Sequence, residues 1–500
     1  MTTPSGLILN EDSSHFFTSR SAREMTREGL LALVDPYAGT QVTHLFLNPN
    51  SQRTSYRSQV WDPIWEHGRQ NPPADDGGKR WCANARRLDE QGLDPYAVWI
   101  ARAREKGISP WISMRMNDVH DVGDPASYIH SSFWAGHPEL RRGQKIHFNW
   151  ADIAFDYGQP AVRDYHMKLI REYFDRYDFD GLELDWMRFG YHFRPGHEAA
   201  GNRLLTGFIR DVRTLAEAHA KRRGHPIKIG VRVPSRPRTA EALGLDPVPW
   251  AKAGLIDLVV VTPFWATIEF DMPVEHWKLL LAGTGVTLAA GLEINLRPTP
   301  KVWPKYPNNM SNSAETVFGA ATALLDRGAD QIYLFNYMDS ETTVDNPADY
   351  PEILHHAGAL NTLAGQVRRH VVTYPDTLPY GDPPGYVLPA DTKENCPVRF
   401  RVHVGAKPAA GTAQVVLGLG EEGLMDAAAL TVKVNDEACA PSAVPAPKPI
   451  HPMARQAAVF DIPWDALSGQ YNLIEVMGMQ DKPHQLVWVE IRIVPRHSGE

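Results

Sequence analysis

The stretch Phe179-Asp180-Gly181-Leu182-Glu183-Leu184-Asp185-Trp186 decides the fold. Its alternation places two leucines on one face of a strand and Glu183 and Asp185 on the other, because successive side chains of a strand point to opposite faces. Segments of helical period flank it, over 162–177 and 199–223. A short strand between two helices is typical of a parallel sheet that is covered on both faces. Buried carboxylates are costly unless they are paired or used, so this strand also indicates a site.

Eight such repeats occupy the first three quarters of the chain. The short β-branched or aromatic runs lie at 6–10, 42–48, 110–117, 179–185, 227–233, 258–265, 287–295 and 331–337, and the helical segments that follow them lie at 21–37, 93–106, 162–177, 199–223, 248–253, 274–282, 314–327 and 353–364. Eight strands that alternate with eight helices predict an α/β fold, a closed (β/α)8 TIM barrel over residues 1–368. The alternative is an open doubly wound sheet, which usually has fewer repeats and an early glycine-rich turn.

The pattern changes after residue 370. Proline and glycine become dense, as in Asp382-Pro383-Pro384-Gly385, and short alternating runs replace the helical period. These runs lie at 398–404, 414–419, 430–434, 457–462, 473–477 and 486–494. They predict a small C-terminal β-sandwich domain over residues 369–500. Such a domain is compatible with sugar binding, with closure of the barrel mouth or with homo-oligomerisation.

Composition and charge narrow the partners and the compartment. The 51 Lys and Arg residues face 59 Asp and Glu residues, which gives a net charge of −8 with His neutral and disfavours nucleic acid and anionic membranes as partners. The three cysteines, Cys82, Cys396 and Cys439, are too few for a disulfide framework or a four-cysteine zinc site. The N-terminus lacks the pattern of a signal peptide, and no run approaches the ~18 apolar residues of a membrane span. We therefore expect a cytoplasmic protein.

Polar residues at the carboxyl ends of the strands are the candidates for the functional site, because TIM barrels build their active sites there. The residues expected to contact a ligand point inward by strand parity or follow a strand directly: Arg115, Asn117, Asp118, His120, Arg188, Arg232, Trp265, Asn336 and Tyr337. The barrel mouth is then acidic, aromatic and rich in amides. This mixture suits a carbohydrate, whose apolar faces stack on aromatic rings and whose hydroxyl groups need donors and acceptors.

Two carboxyl groups are needed to cleave a glycosidic bond, one to protonate the leaving oxygen and one to attack the anomeric carbon or activate water. Asp185 at the rim and Glu293, which parity turns inward on strand seven, form the predicted pair. Glu183 lies deeper, where Arg115 and Arg232 are expected to pair with it, and we expect it to support the catalytic groups rather than contact substrate. The leading hypothesis is a glycoside hydrolase that needs no cofactor and no metal.

The residues around strand four resemble a known group of proteins. The stretch FDYGQPAVRDY at 155–165, followed by RYDFDGLELDWMRF at 176–189, is similar to glycoside-hydrolase-like barrel proteins of the family 10-like glycosyl hydrolase type. The resemblance is strong over residues 155–189 and does not extend to the sandwich. It implies a glycosidase whose nucleophile is Asp185, and it makes Glu269, after strand six, the alternative acid/base. Glu183 departs from the apolar or small polar residue of that group, so its role stays open.

Two other classes of function are compatible with the sequence. The first is a carbohydrate-binding protein without catalysis, which a second inward carboxylate within reach of Asp185 would argue against. The second is a metal-dependent hydrolase or lyase that uses the run Asp118, His120, Asp121 and Asp124. The spacing of that run matches no usual zinc pattern, and a loop of ligand-contacting or helix-capping residues explains it better.

Overall fold

The computed structural model describes residues 5–143, 149–300, 310–339, 344, 346–379, 382–383, 385–420, 429–478 and 484–496. Its strands are β1 (Leu7–Glu11), β2 (Val42–Leu47), β3 (Ser109–Arg115), β4 (Gly181–Asp185), β5 (Lys228–Pro234), β6 (Leu258–Thr262), β7 (Thr287–Leu292), β8 (Asn295–Leu296), β9 (Met310–Ser311), β10 (Gln331–Phe335), β11 (Arg368–Val371), β12 (Ala390–Asp391), β13 (Val398–His403), β14 (Gly411–Leu419), β15 (Leu430–Val434), β16 (Glu437–Ala438), β17 (Ala440–Pro441), β18 (Gln456–Ile462), β19 (Tyr471–Gly478) and β20 (Gln485–Pro495). Its helices are α1 (His15–Ser19), α2 (Arg27–Val34), α3 (Asp76–Glu90), α4 (Pro95–Glu105), α5 (Ser132–Gly136), α6 (Asn149–Asp152), α7 (Pro160–Arg176), α8 (Glu198–Arg223), α9 (Pro237–Ala242), α10 (Val248–Lys252), α11 (Val274–Leu280), α12 (Ala314–Asp326), α13 (Asp349–His356) and α14 (Leu360–Leu363).

Eight of the described strands form a closed barrel in the order β1-β10-β7-β6-β5-β4-β3-β2. The predicted TIM barrel is therefore confirmed, and the open doubly wound sheet is wrong. Every residue of β4 and of β6 is buried, as expected where helices cover the outer face of a parallel sheet.

β4 lies between β3 and β5 in a register that brings polar residues of three strands level with one another. Ser113 on β3 is opposite Glu183, and its hydroxyl donates a hydrogen bond to the Glu183 carboxylate at 2.5 Å. Asp185 lies between Arg115 on β3 and Arg232 on β5. The register thus places Asp185, the last residue of β4, between two arginines on the neighbouring strands.

Gly181 begins β4 because the ring of Trp111 fills the space that a side chain would need. A Cβ atom at this position would lie 2.4 Å from the indole ring. We expect Gly181→Ala to lower the free energy of unfolding by about 2 kcal/mol, because overpacking a closed core forces the backbone or the ring to shift. Urea unfolding measures this loss.

Gly207→Ala on α8 is the matched control for that substitution. Among the described residues outside its own helix, none comes within 4 Å of a Cβ built at Gly207. Alanine there should stabilise the helix by roughly 0.5–1 kcal/mol. Equal stabilities of the two variants would contradict the role given to Trp111.

Two antiparallel sheets follow the barrel strands in the chain. One has the order β11-β20-β14-β18-β17, with β12 paired to β20, and the other has the order β13-β19-β15-β16. Buried side chains from both sheets, such as Phe400, Val415, Ile474 and Ile491, belong to one hydrophobic core. The predicted β-rich C-terminal region is therefore confirmed, and all six predicted strands occur in it.

The chain divides into two compact units. The N-terminal unit comprises Ile8–Phe264 and His276–Ala289. The C-terminal unit comprises residues 5–7, Trp265–Glu275 and the described residues from Ala290 onward. The domain boundary at residue 368 stays a prediction.

Within the described part of the chain, no helix combines the length and the apolar character that crossing a membrane requires.

Candidate active site

Asp185 ends β4 and is held by donors on two sides. Its Oδ1 atom accepts hydrogen bonds from the backbone N–H groups of Met187 at 2.9 Å and Arg188 at 3.0 Å. Nη1 of Arg232 lies 3.1 Å from each of the two carboxylate oxygens, and both side chains are buried. These contacts hold the carboxylate in one orientation at the edge of the barrel where TIM-barrel sites are built.

Asp12 directly follows β1 and is a site residue that the sequence prediction missed. Its Oδ2 atom accepts hydrogen bonds from Arg115 and, at 2.9 Å, from Arg188. Its Oδ1 atom accepts from the backbone N–H and the hydroxyl of Ser14, both at 2.9 Å. Burial alone would raise the pKa of Asp12, but the two arginines and Ser14 hold that pKa well below its usual range. An acidic residue directly after a barrel strand is the signal that identifies it.

Asp118 and His120 form a pair after β3. Oδ2 of Asp118 accepts a hydrogen bond from Arg115 at 2.8 Å, and Oδ1 accepts from Nδ1 of His120 at 2.8 Å and from the His120 backbone N–H at 3.0 Å. The Asp118 side chain is 1% exposed, whereas that of His120 is 41% exposed. Burial alone would raise the pKa of Asp118, but His120, Arg115 and Arg188 bring it well below its usual range. An ionised, buried carboxylate therefore orients a half-exposed imidazole.

Arg115 joins these groups into one network. It contacts Asp12 and Asp118 and not Glu183, which was its expected partner. Burial alone would lower the pKa of Arg115, but the carboxylates of Asp12, Asp118 and Asp185 raise it. The network thus contains three carboxylates and three guanidinium groups: Asp12, Asp118, Asp185, Arg115, Arg188 and Arg232.

Half-exposed aromatic rings border this network, and the sequence prediction missed them. Trp150, Phe189 and Phe264, here called the aromatic cluster, contact one another with ring centroids 5.3–5.4 Å apart. Phe189 also meets the ring of His120 edge-on at 4.9 Å. Its backbone φ is +71°, a left-handed conformation that costs about 1–3 kcal/mol for a bulky residue. Surrounding contacts therefore hold the Phe189 ring beside His120.

Asn117 was predicted to contact a ligand, but its amide is engaged with the backbone. Nδ2 donates a hydrogen bond to the carbonyl of Phe155 at 3.0 Å, and Oδ1 accepts one from the Phe155 N–H at 3.0 Å. The side chain is buried. Asn117 thus ties the end of β3 to the segment before α7.

Glu293, the predicted acid/base, directly follows β7 in the C-terminal unit. Its side chain is buried, and Oε1 accepts a hydrogen bond from the backbone N–H of Ile294 at 3.0 Å. Tyr337 is also buried and donates its hydroxyl to the carbonyl of Glu293 at 3.0 Å. Glu269, the alternative acid/base, is buried in the same unit. Because its hydroxyl binds the Glu293 carbonyl, buried Tyr337 packs in the interior and fixes the backbone at Glu293.

Two further predicted residues of the C-terminal unit reach the surface. Trp265 is 44% exposed, and the guanidinium of Arg297 lies 5.8 Å from the centre of its ring. Asn336 follows β10, is partly exposed and has a φ of +57°. Asparagine adopts this left-handed conformation more readily than most residues, so Asn336 turns the chain at the end of its strand.

The acidic run after β3 is spread over different partners. Oδ2 of Asp121 accepts a hydrogen bond from the hydroxyl of Ser127 at 3.0 Å, and Oδ1 of Asp124 accepts one from the backbone N–H of Ala126 at 3.0 Å. In the described ranges, no three His, Cys, Asp or Glu side chains converge in a way that fits a metal ion. The run is better described as turn-capping residues around the pair of Asp118 and His120.

Two buried histidines make the stability of the N-terminal unit sensitive to acid. Burial lowers the pKa of His166 to about 4 and that of His192 to about 3. The unfolded chain binds a proton at each below about pH 6.5, whereas the folded chain does not. We therefore expect the free energy of unfolding to fall as the pH drops from about 6.5 towards 4, by up to about 1.4 kcal/mol per pH unit for each histidine.

Urea unfolding at several pH values measures this slope. His166→Gln should reduce the slope, because the variant has one histidine fewer that takes up a proton only when the chain unfolds. His276→Gln, at an exposed histidine on α11, should leave it unchanged. A slope unaffected by His166→Gln would contradict the assignment.

No protein-family model matches the chain, so the resemblance to family 10-like glycosyl hydrolases stays a prediction. A stretch of 111 residues, 22% of the chain, is 24% identical to the 1,4-alpha-glucan branching enzyme GlgB of Trichodesmium erythraeum (strain IMS101) and covers 14% of that protein.

Among solved structures, alpha-L-fucosidase isoenzyme 2 from Paenibacillus thiaminolyticus is similar over 73% of this chain and 51% of its own, with a TM-score of 0.43 and 12% identity. The noncanonic maltogenic alpha-amylase AmyB from Thermotoga neapolitana is similar over 99% of this chain and 100% of its own, with a TM-score of 0.39 and 11% identity. The glycoside hydrolase domain of PgaB (BpsB) from Bordetella bronchiseptica is similar over 71% of this chain and 99% of its own, with a TM-score of 0.39 and 10% identity. The chain thus spans about half the length of the fucosidase and a seventh of the branching enzyme.

Proposed function

We propose that this protein is a glycoside hydrolase that cleaves an O-glycosyl bond, with Asp185 as its primary catalytic carboxylate. The observation that supports this function is the oriented carboxylate of Asp185 in a charged network that borders the aromatic cluster. His120 joins the two, because it contacts Asp118 on one side and Phe189 on the other. Aromatic rings offer a stacking surface to a sugar, and a carboxylate supplies the negative charge that glycosyl transfer requires.

A purely structural role explains the network less well. Replacing buried ion pairs by apolar residues is often neutral or stabilising, so a network of six charged groups, four of them buried and two partly buried, is a poor way to stabilise a barrel. Asp12, Asp118 and Arg188 follow the ends of β1, β3 and β4, the edge at which TIM-barrel enzymes bind substrate. Both facts favour a functional network.

Charge pairing in the network favours a neutral sugar as the substrate. Asp12, Asp118 and Asp185 each contact an arginine, so the three negative charges are matched by three positive ones. A uronic acid or a sugar phosphate would add a negative charge that this balance leaves unmatched. As positive charge develops at the anomeric carbon, Asp185 stabilises it or attacks that carbon. Glu293 and Glu269 stay the predicted acid/base candidates of the C-terminal unit.

A screen against chromogenic α- and β-glycosides and neutral oligosaccharides tests this function. We expect the purified protein to hydrolyse at least one member of the panel and Asp185→Asn to hydrolyse none at a measurable rate. The assignment would be overturned if the wild-type protein hydrolysed no member of the panel, or if the Asp185→Asn variant were fully active.

One observation favours a second candidate, a carbohydrate-binding protein without catalysis. The pKa values of both Asp12 and Asp118 are held well below their usual range, so neither of these carboxyl groups carries a proton to donate near neutral pH. A binding protein would show saccharide-dependent thermal stabilisation with no release of product. Thermal unfolding with each oligosaccharide of the panel separates the two functions.

A further inference from the structure

We propose that His120, oriented by Asp118, is the group that transfers a proton to the leaving oxygen of the substrate. This inference rests on the proposed glycoside hydrolase activity. It assigns to an imidazole and its carboxylate partner, here called the His120–Asp118 dyad, the acid/base role that the sequence prediction gave to Glu293.

The backbone and ring of His120 are fixed on four sides. Its backbone N–H and its Nδ1 atom both bind Oδ1 of Asp118. Its carbonyl accepts a hydrogen bond from Nε2 of His130 at 3.0 Å, and its ring packs against the edge of Phe189. Among the residues that the structure describes, none forms a hydrogen bond with Nε2 of His120. The His120 side chain is 41% exposed. The dyad therefore presents one oriented ring nitrogen for a ligand.

The charges around the dyad set its tautomer. Asp118 and Asp121 lie on its own loop, Arg115 approaches from β3, Arg188 from the segment after β4, and Asp12 binds both arginines from the end of β1. Because a carboxylate only accepts hydrogen bonds, ionised Asp118 requires that Nδ1 of His120 carry a hydrogen. The proton that His120 can give to a substrate is then the one on Nε2.

The dyad supplies a proton donor, which the carboxylates of Asp12 and Asp118 do not. Asp12 and Asp118 stay ionised, so neither is a proton donor, whereas the half-exposed imidazole of His120 has a second ring nitrogen that can carry a proton to a substrate. Asp185 belongs to the same network, since it accepts a hydrogen bond from the backbone N–H of Arg188, whose guanidinium binds Asp12. Nucleophile and proton donor would then come from the ends of adjacent strands, β4 and β3.

The reaction step balances as follows. Nε2–H of the imidazolium passes its proton to the glycosidic oxygen while the bond from the anomeric carbon to that oxygen breaks, and the bonding pair stays on the oxygen. The anomeric carbon forms a bond to a carboxylate oxygen of Asp185 or to a water oxygen. In the first case water then bonds to the anomeric carbon while the bond from that carbon to Asp185 breaks, and the proton that water loses passes to Nε2, which restores the imidazolium. In the second case the attacking water passes its proton to Asp185 and from there to solvent, and Nε2 takes a proton from solvent.

The test uses pairs of substrates that share a sugar and differ in the leaving group. A dinitrophenyl leaving group needs no protonation, whereas an alkyl alcohol does. We expect His120→Asn to lower kcat/KM about 10²–10⁴-fold for the alkyl glycoside and less than about 10-fold for the dinitrophenyl glycoside. The limb of the pH profile that reports the protonated acid should vanish in this variant. Asp118→Asn should give a smaller loss with the same dependence on the leaving group, because it only positions the ring.

His137→Asn is the matched control, because Nδ1 of His137 also binds a carboxylate, that of Glu139, at 2.9 Å on the surface. It should leave both substrates at wild-type rates. Equal losses of His120→Asn on both substrates, or a leaving-group effect in Glu293→Gln and none in His120→Asn, would overturn the dyad and leave the glycosidase intact. A wild-type protein that hydrolyses neither substrate would overturn both. Thermal unfolding of each variant, with His120→Gln as a second substitution, separates loss of the proton donor from loss of fold.

Discussion

Asp185→Asn is expected to lower kcat by at least ~10⁴-fold on any glycoside that the wild-type protein hydrolyses. The amide neither attacks the anomeric carbon nor offers the negative charge that balances the positive charge of the transition state. Its Oδ1 atom can still accept the hydrogen bonds of Met187 and Arg188 that hold the wild-type carboxylate, so the loop after β4 keeps its path. Steady-state kinetics on the best substrate of the panel measures the loss.

The same variant is expected to lose about 3 kcal/mol of stability, because buried Arg232 loses the carboxylate that it contacts. Adding Arg232→Met should restore most of that stability and none of the activity. Asp180→Asn is the matched control: Asp180 precedes the same strand at its other end and contacts Arg104 at the surface. It should change neither property strongly. A double variant that recovers turnover would show that Asp185 is a structural residue.

Arg115→Met is expected to cause the largest loss of stability, about 3–5 kcal/mol near neutral pH. The substitution preserves much of the side-chain volume but leaves Asp12 and Asp118 without the guanidinium that they share. Asp12 keeps its contact with Arg188, and Asp118 keeps its contact with His120. Urea unfolding of the variant against the wild-type protein measures the difference.

The pH dependence of that difference identifies its cause. In the wild-type protein the folded pKa values of Asp12 and Asp118 lie below the usual value of 3.8. Their contribution to stability is therefore complete above about pH 4 and is lost as the pH falls through the folded pKa values. The difference between the wild-type protein and Arg115→Met should be full at neutral pH and shrink below about pH 4. A difference that is constant with pH would point to packing instead of charge.

Arg104→Met is the matched control for Arg115→Met. Arg104 also contacts two carboxylates, those of Asp178 and Asp180, but its side chain is 41% exposed. Solvent screens these pairs, so the loss should stay within about 1 kcal/mol. A loss as large as that of Arg115→Met would contradict the importance of burial.

Period-two alternation indicates the face to which a side chain points inside a strand, but it gives no direction for residues beyond the end of the strand. Arg115, Asp185 and Arg232 are all within strands, and the register brings them level. Asn117 and Glu293 follow the last residues of β3 and β7, so parity no longer determines where their side chains point. Both side chains bind backbone groups instead: Asn117 binds the carbonyl of Phe155, 38 residues away, and Glu293 binds the N–H of the next residue, Ile294.

Other features depend on contacts that local sequence does not contain. Asp12 and Arg188 are 176 positions apart in the chain, and they meet because the barrel brings the carboxyl ends of β1 and β4 to the same rim. The aromatic cluster depends on loop paths that no periodicity describes. Helix α3, which is absent from the eight predicted helical segments, has Gly77 and Gly78 in its first turn, and glycine favours helix poorly. It forms because Asp75 caps it and because it buries Trp81 and Leu88.

The left-handed backbone at Phe189 sets a limit on engineering this chain for thermostability. Phe189→Gly would relieve the conformational cost, since glycine adopts a positive φ freely. A selection for heat resistance alone would therefore favour changes of this kind. The same change would remove the ring that packs against His120 and the other members of the aromatic cluster. Stability and function are thus opposed at this position, and a library built to raise the melting temperature has to be scored for turnover at the same time.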